Sequence, residues 1–179
     1  MKVREVMIPV GDYVSVGQDE TLLGAFQALE RRREANGAAH AHRDVLVLDA
    51  GGAVAGKLTM ADILLALEPT YGQITSQAAG HDTLTREYVA RMFKEFDLWP
   101  DTLDNLCRGA AGLKVGDICH RPGPGEFVEA DDDLERAIHR YLLGVHQPLL
   151  VRQDGRVVGV LRYSDVFEQL RRHVLGCAI

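Results

Sequence analysis

Gly56, Thr59 and Asp62, in the run Gly56-Lys57-Leu58-Thr59-Met60-Ala61-Asp62, carry the clearest chemistry in the chain. A threonine at a helix N-cap stands beside backbone N–H groups that have no intrahelical partner. Those groups and the helix dipole favour a phosphate, and the hydroxyl can donate one more hydrogen bond. Asp62, one turn on, offers a carboxylate that can accept both hydroxyls of a ribose. Gly56 has no Cβ and lets a backbone approach closely. The same Thr-x-x-Asp spacing is a near relative of a capping box, whose work is only to start the helix, and taken alone that is its commoner use. Context has to decide. A second run, Gly159-Val160-Leu161-Arg162-Tyr163-Ser164-Asp165, keeps the carboxylate but places Arg162 where the first has Thr59. The guanidinium fork of Arg162 can bind a phosphate or pair with an acidic neighbour, and Ser164 is an alternative cap or hydroxyl donor. The first run is therefore the better-formed candidate pocket, with the stretch near His40 and His42 placed to cover or obstruct it.

Other chemistry is thinly represented. His40-x-His42 lacks a nearby Cys or carboxylate at a diagnostic spacing, so no metal site is expected. Cys107, Cys119 and Cys177 are odd in number and form no C-x-x-C pair, which predicts free thiols. Cys119 has no local His or Asp partner and reads as a small core residue. No phosphate-loop signature or supported acid/base pair marks an enzyme, so no catalytic residue and no required cofactor are expected. A net charge of −6 disfavours nucleic acid, because that affinity depends on Lys and Arg neutralising phosphates. Arg31-Arg32-Arg33, between Glu30 and Glu34, reads as a solvated helix end, and Arg171-Arg172-His173 reads in the same way. The longest apolar runs fall far short of the ~20 residues that span a bilayer, and no secretory signal is evident at the N-terminus. A cytoplasmic location is the expectation.

The elements that must position these residues occur twice. Lys2-Val3-Arg4-Glu5-Val6-Met7 returns as Lys114-Val115-Gly116-Asp117-Ile118-Cys119, an offset of 112 residues. At that offset Val16 meets Val128, Leu22 meets Leu134, Ala25 meets Ala137 and Phe26 meets Ile138. Leu22, Ala25, Phe26 and Leu29, and likewise Leu134, Ala137, Ile138 and Tyr141, have the spacing of one buried helix face. Each copy then shows a hairpin: Val45 to Leu48, a Gly51-Gly52 turn and Val54; Leu149 to Val151, an Asp154-Gly155 turn and Val157-Val158. A second amphipathic helix follows, through Ile63, Leu64 and Leu67 or Val166, Phe167, Leu170 and Val174. Here the offset is 103, so the first copy holds nine extra residues, assigned to the polar stretch from Arg31 to His42. Between the copies, Leu84, Tyr88, Met92, Phe93 and Phe96 recur at near-helical spacing, and Pro100-Asp101-Thr102 can start a short helix carrying Leu103 and Leu106. This insert is read as helical, with Gly80-His81-Asp82 and Gly109 to Gly112 as loops. Trp99 and the aromatic set are expected to dock the insert, with a dimer contact as the rival use.

A β-α-β-β-α unit, repeated once and ending each hairpin in a glycine-to-aspartate run of this kind, resembles the Bateman module of paired CBS (cystathionine β-synthase) motifs. The resemblance covers residues 1–68 and 113–179 and leaves 69–112 as a helical insert. It implies an α/β (α+β) fold in which the two halves pack with pseudo-twofold symmetry and leave two related clefts. It implies a non-catalytic regulatory module that binds AMP, ADP, ATP or a related adenosyl ligand through Gly56, Thr59, Asp62, Arg162, Ser164 and Asp165. It further implies a homodimer that signals to a regulated protein, with no membrane insertion. The rival readings are a structural dimerisation module with empty pockets and, less favoured, a nucleotide-processing enzyme.

Overall fold

The computed structural model describes residues 1–36, 43–68, 70, 91, 94–96 and 102–177. The first repeat supplies a three-stranded sheet. Strand β2 (Ser15–Gly17) runs parallel to β3 (Val45–Leu48), which pairs antiparallel with β4 (Val54–Leu58). The second repeats the plan with β5 (Phe127–Glu129), β6 (Leu149–Gln153) and β7 (Arg156–Leu161). Both hairpins fall where the turn residues place them. Gly52, Asp154 and Gly155 have φ of 80°, 52° and 77°, the left-handed values that tight hairpin turns demand. Both also shift register at the matching place, after Val47 and after Val151.

Helices α1 (Leu22–Asn36) and α2 (Met60–Leu67) flank the first sheet, and α5 (Leu134–Leu142) and α6 (Tyr163–Cys177) flank the second. Strand alternation sorts the core into three clusters. Val45 and Val47 pack with Leu22, Ala25 and Ile63 on the helical side of the first sheet. Leu149 and Val151 do the same with Leu134, Ala137 and Val166 in the second. The residues between them, Leu46 and Leu150, join Tyr13 and Val160 in a cluster linking the two sheets. The repeats are thus joined through a shared apolar layer.

The segments that open each repeat cross over. Val3, in a 3-10 turn over Val3–Glu5, is wholly buried in the second repeat's core, and strand β1 (Ile8–Pro9) adds to the edge of β7. In return Val115, on the short helix α4 (Val115–Ile118), is buried in the first repeat's core, and His120 bridges Lys57 on the edge of β4. Gly56 and Gly159 make both crossings possible. A Cβ on Gly56 would stand 2.7 Å from Cys119 Sγ and 3.0 Å from His120 O; on Gly159, 2.6 Å from Met7 Sδ and 3.0 Å from Ile8 O. Gly56→Ala and Gly159→Ala should each push an exchanged segment off its sheet edge, lowering stability by about 1–3 kcal/mol in urea unfolding.

Several local expectations are corrected. Helix α1 continues through Arg31 to Asn36, so the extra length in the first copy begins as helix. Phe26, at 47% exposure, does not belong to the buried stripe, and Leu64, Phe167, Leu170 and Val174 are likewise exposed. Each of these helices buries only the residues facing its sheet and leaves the opposite side bare. Helix α3 (Leu103–Ala110) starts at the expected Thr102 cap, where the hydroxyl accepts from Asn105 N–H at 3.4 Å, but runs through Gly109. Leu84, Tyr88, Met92, Phe93, Trp99, His40, His42 and the Gly80-His81-Asp82 entry lie outside the described residues. Among the described residues no helix is long and apolar enough to cross a membrane.

Candidate functional site

Thr59 follows β4 with extended backbone (φ −110°, ψ 172°) and caps α2 by position. Its hydroxyl is turned to donate to Asp62 Oδ2 at 2.6 Å, and its own N–H donates to the same oxygen at 2.7 Å. The carboxylate therefore holds the helix start by accepting from the Thr59 N–H, its half of a capping box. Thr59, Met60 and Ala61 line an open cleft of about 370 Å³ with Arg43, Asp44, Val145, His146 and Gln147. Residues 43–44 and 145–147 sit at matching places before the two hairpins, so both repeats contribute to one cavity. A helix N-terminus and an arginine at its rim suit an anionic ligand.

The other expected site residues are placed as follows. Asp62 is 8% exposed and lies beneath this cleft, with its second oxygen, Oδ1, facing His146 Nε2 at 3.5 Å. The close approach that Gly56 permits is made by the chain's own His120. Arg162 forms a bidentate pair with Asp165, Nε to Oδ2 and Nη2 to Oδ1, both 2.7 Å. Ser164 is exposed on the first turn of α6. Beside Arg162 the buried Tyr13 hydroxyl donates to Asp44. Burial raises the Asp44 carboxyl above its ordinary range, against the hydrogen bond from Tyr13 and the charges of Arg162 and Lys57. The two runs that look alike in sequence thus hold different states: Asp165 has both oxygens committed to one guanidinium, Asp62 only one to Thr59.

A polar cluster that sequence reasoning missed lies behind the cleft. Lys57 is fully buried. Its backbone exchanges two hydrogen bonds with His120, at 3.0 and 2.9 Å, while its ammonium meets Glu126 Oε2 at 2.6 Å. The same ammonium donates to the carbonyls of His146 and Pro148 at 2.5 and 2.7 Å, with the Glu126 carboxylate beside it as the counter-ion. His120 Nε2 lies 2.7 Å from Glu126 Oε1, and the His120 and His146 rings stack at 3.8 Å with 11° between planes. Burial, then the Lys57 charge and the His120 ring, push His146 below its usual range. A signal was available. At the repeat offsets Lys57 matches Val160, His120 matches Ile8 and Glu126 matches Val14, so three positions that are apolar in one copy are charged or polar in their counterparts. A Lys in an otherwise buried strand requires a buried partner.

Burial by itself would raise the Glu126 carboxyl, but the Lys57 ammonium, Gly123 N–H and His120 hold it down to about 2, against an ordinary 4.5. A depressed carboxyl contributes stability that is full above the unfolded value and is lost as pH falls through the folded one. The pair's contribution should be complete above 4.5 and drain between 4.5 and about 2. Its size is on the order of 3 kcal/mol. Urea midpoints at about pH 6 and about pH 3 check this, since Glu126→Gln should flatten the acid limb.

A family model described as CBS domain matches residues 3–69 and 115–172. Among solved structures, CBSX2 in complex with AMP is similar with a TM-score of 0.60 at 19% identity, over 96% of this chain and 97% of that one. A hypothetical conserved protein from Geobacillus kaustophilus gives 0.59 at 18%, over 97% and 98%. The CBS domains of a transcriptional regulator from Streptococcus pneumoniae give 0.55 at 14%, over 94% and 98%. At these identities the likeness establishes the fold. No curated protein is matched by the sequence.

Proposed function

The chain belongs to the CBS domain family, and on that premise we propose that it is a cytoplasmic, non-catalytic regulatory module sensing an adenine nucleotide in the cleft beside Thr59. AMP, ADP, ATP or a related adenosyl ligand is the class intended, and a separate protein reads the bound state. The observation that carries this reading is the cleft itself: about 370 Å³, open, built by both repeats and flanked by Arg43 and the first turn of α2. Because its walls come from both halves, a ligand there can favour one packing of the repeats over another, which is what a sensor requires. The AMP carried by CBSX2 supports the choice of ligand class.

Titration calorimetry with AMP, ADP, ATP and S-adenosylmethionine, alongside a turnover assay, tests the proposal. Saturable binding of one of them without turnover is the expected result. Absence of binding to all four would favour a structural module with empty pockets, and multiple turnover would make the chain an enzyme.

Association of two copies belongs to the same proposal. Met60, Leu64 and Leu65 on α2 and Phe167, Leu170 and Val174 on α6 are exposed, a concentration of apolar surface that a second copy would cover. Light scattering should return a dimer mass, and a monomer mass independent of concentration would count against it.

A further inference from the structure

Asp62, His120 and His146 come from separate stretches of the chain, yet each offers one ligand atom and these atoms lie within 4.8 Å of one another. We propose that they form a binding site for a divalent first-row transition-metal ion, represented by zinc, which fastens the first repeat to the second. Two imidazoles and one carboxylate are a donor set that such ions take, with a further position left for water. Asp62 Oδ1 and His146 Nε2 are 3.5 Å apart. That is long for a hydrogen bond but close to the edge of a tetrahedron with metal–ligand bonds of about 2.0–2.1 Å, an edge of about 3.3–3.4 Å.

Two of the three donors are already held from behind. Asp62 Oδ2 is fixed by the N–H and hydroxyl of Thr59, which leaves Oδ1 facing the histidines. Glu126 grips His120, the carboxylate–histidine arrangement that orients metal-bound rings. Lys57 anchors the backbone carbonyl of His146, while the His146 ring, its Nδ1 without a hydrogen-bond partner, turns out of the stack on His120 to aim an in-plane lone pair at the ion. Glu126 is neutralised by Lys57, so the Asp62 charge is what remains to meet a cation. The His120 and His146 side chains are 29% and 28% exposed, which gives an ion a path in. The expectation of no metal site rested on local spacing; here the fold brings together residues 62, 120 and 146.

The site goes beyond the nucleotide reading and is tested without nucleotide, because Oδ1 is also the oxygen offered to a ribose. The untagged chain, stripped by a chelator and kept reduced, is titrated with Zn²⁺. One equivalent should bind, and His120→Ala and Asp62→Asn should each weaken it at least about tenfold, while His139→Ala, on the surface of α5, should leave it unchanged. Circular dichroism confirms that the variants fold. Co²⁺ added to the unsubstituted chain supplies a readout free of mutation: the intense visible bands of a four-coordinate ion are expected. Zinc affinity that survives both substitutions, or a cobalt spectrum like that of the aqueous ion, overturns the site and leaves the nucleotide proposal standing.

Discussion

Glu126→Ala is expected to cost about 3–5 kcal/mol of folding stability, the range for removing one partner of a buried ion pair. The carboxylate is the counter-ion of Lys57, whose side chain is 1% exposed. Without it the ammonium keeps two carbonyl acceptors, at 2.5 and 2.7 Å, but loses the charge that offsets its desolvation. Replacing both ions tests the cause. Lys57→Met with Glu126→Leu leaves no stranded charge and should cost clearly less than Glu126→Ala alone, since a buried pair exchanged for apolar groups is often neutral in stability. For a domain stable by about 5–15 kcal/mol the single substitution is a large fraction of the total. Urea unfolding of both variants measures it. A Glu126→Ala protein within about 1 kcal/mol of the parent would mean that water reaches the ammonium.

Asp62→Ala should weaken adenine-nucleotide binding about tenfold to hundredfold, and more than Asp165→Ala does, the loss of a charge-assisted ribose contact being worth on the order of 1.5–3 kcal/mol. The physical basis is the difference in commitment between the two carboxylates. Both oxygens of Asp165 are taken by Arg162, whereas Asp62 spends Oδ2 on Thr59 and keeps Oδ1. Asp62→Ala also removes the group that holds the helix start, so a stability loss of roughly 0.5–2 kcal/mol accompanies it. Calorimetry is therefore read only on variants with the parental circular dichroism. If Asp165→Ala proves the more damaging change, Arg162 is the working phosphate contact and the second cleft carries the ligand.

Sequence periodicity by itself determined the parts of this protein that depend on near neighbours. The β-rich run from Val45 to Leu48 and the Asp154-Gly155 pair specify strands and a turn because β propensity and φ are largely local properties. Thr102 and Thr59 mark helix starts for the same reason. The repeat, read at offsets of 112 and 103 residues, carried the fold class with it. Local pattern failed at Phe26, Leu64 and Phe167: spacing shows that a helix has an apolar side but not whether anything is packed against it.

Only the tertiary structure decided which half each opening segment completes. Val3 and Val115 are equally apolar in either core, and the exchange is set by the pairing of Ile8 with Val160 and His120 with Lys57 across the chain. The polar cluster depends on that same exchange. His120 reaches Glu126, the Lys57 backbone and the His146 ring because α4 delivers it to the edge of β4, and no spacing along the chain encodes that meeting. Whether a carboxylate binds its neighbour, an arginine or a ligand is likewise fixed by what the fold sets opposite each oxygen, which is why Asp62 and Asp165, alike in motif, differ in what they have free.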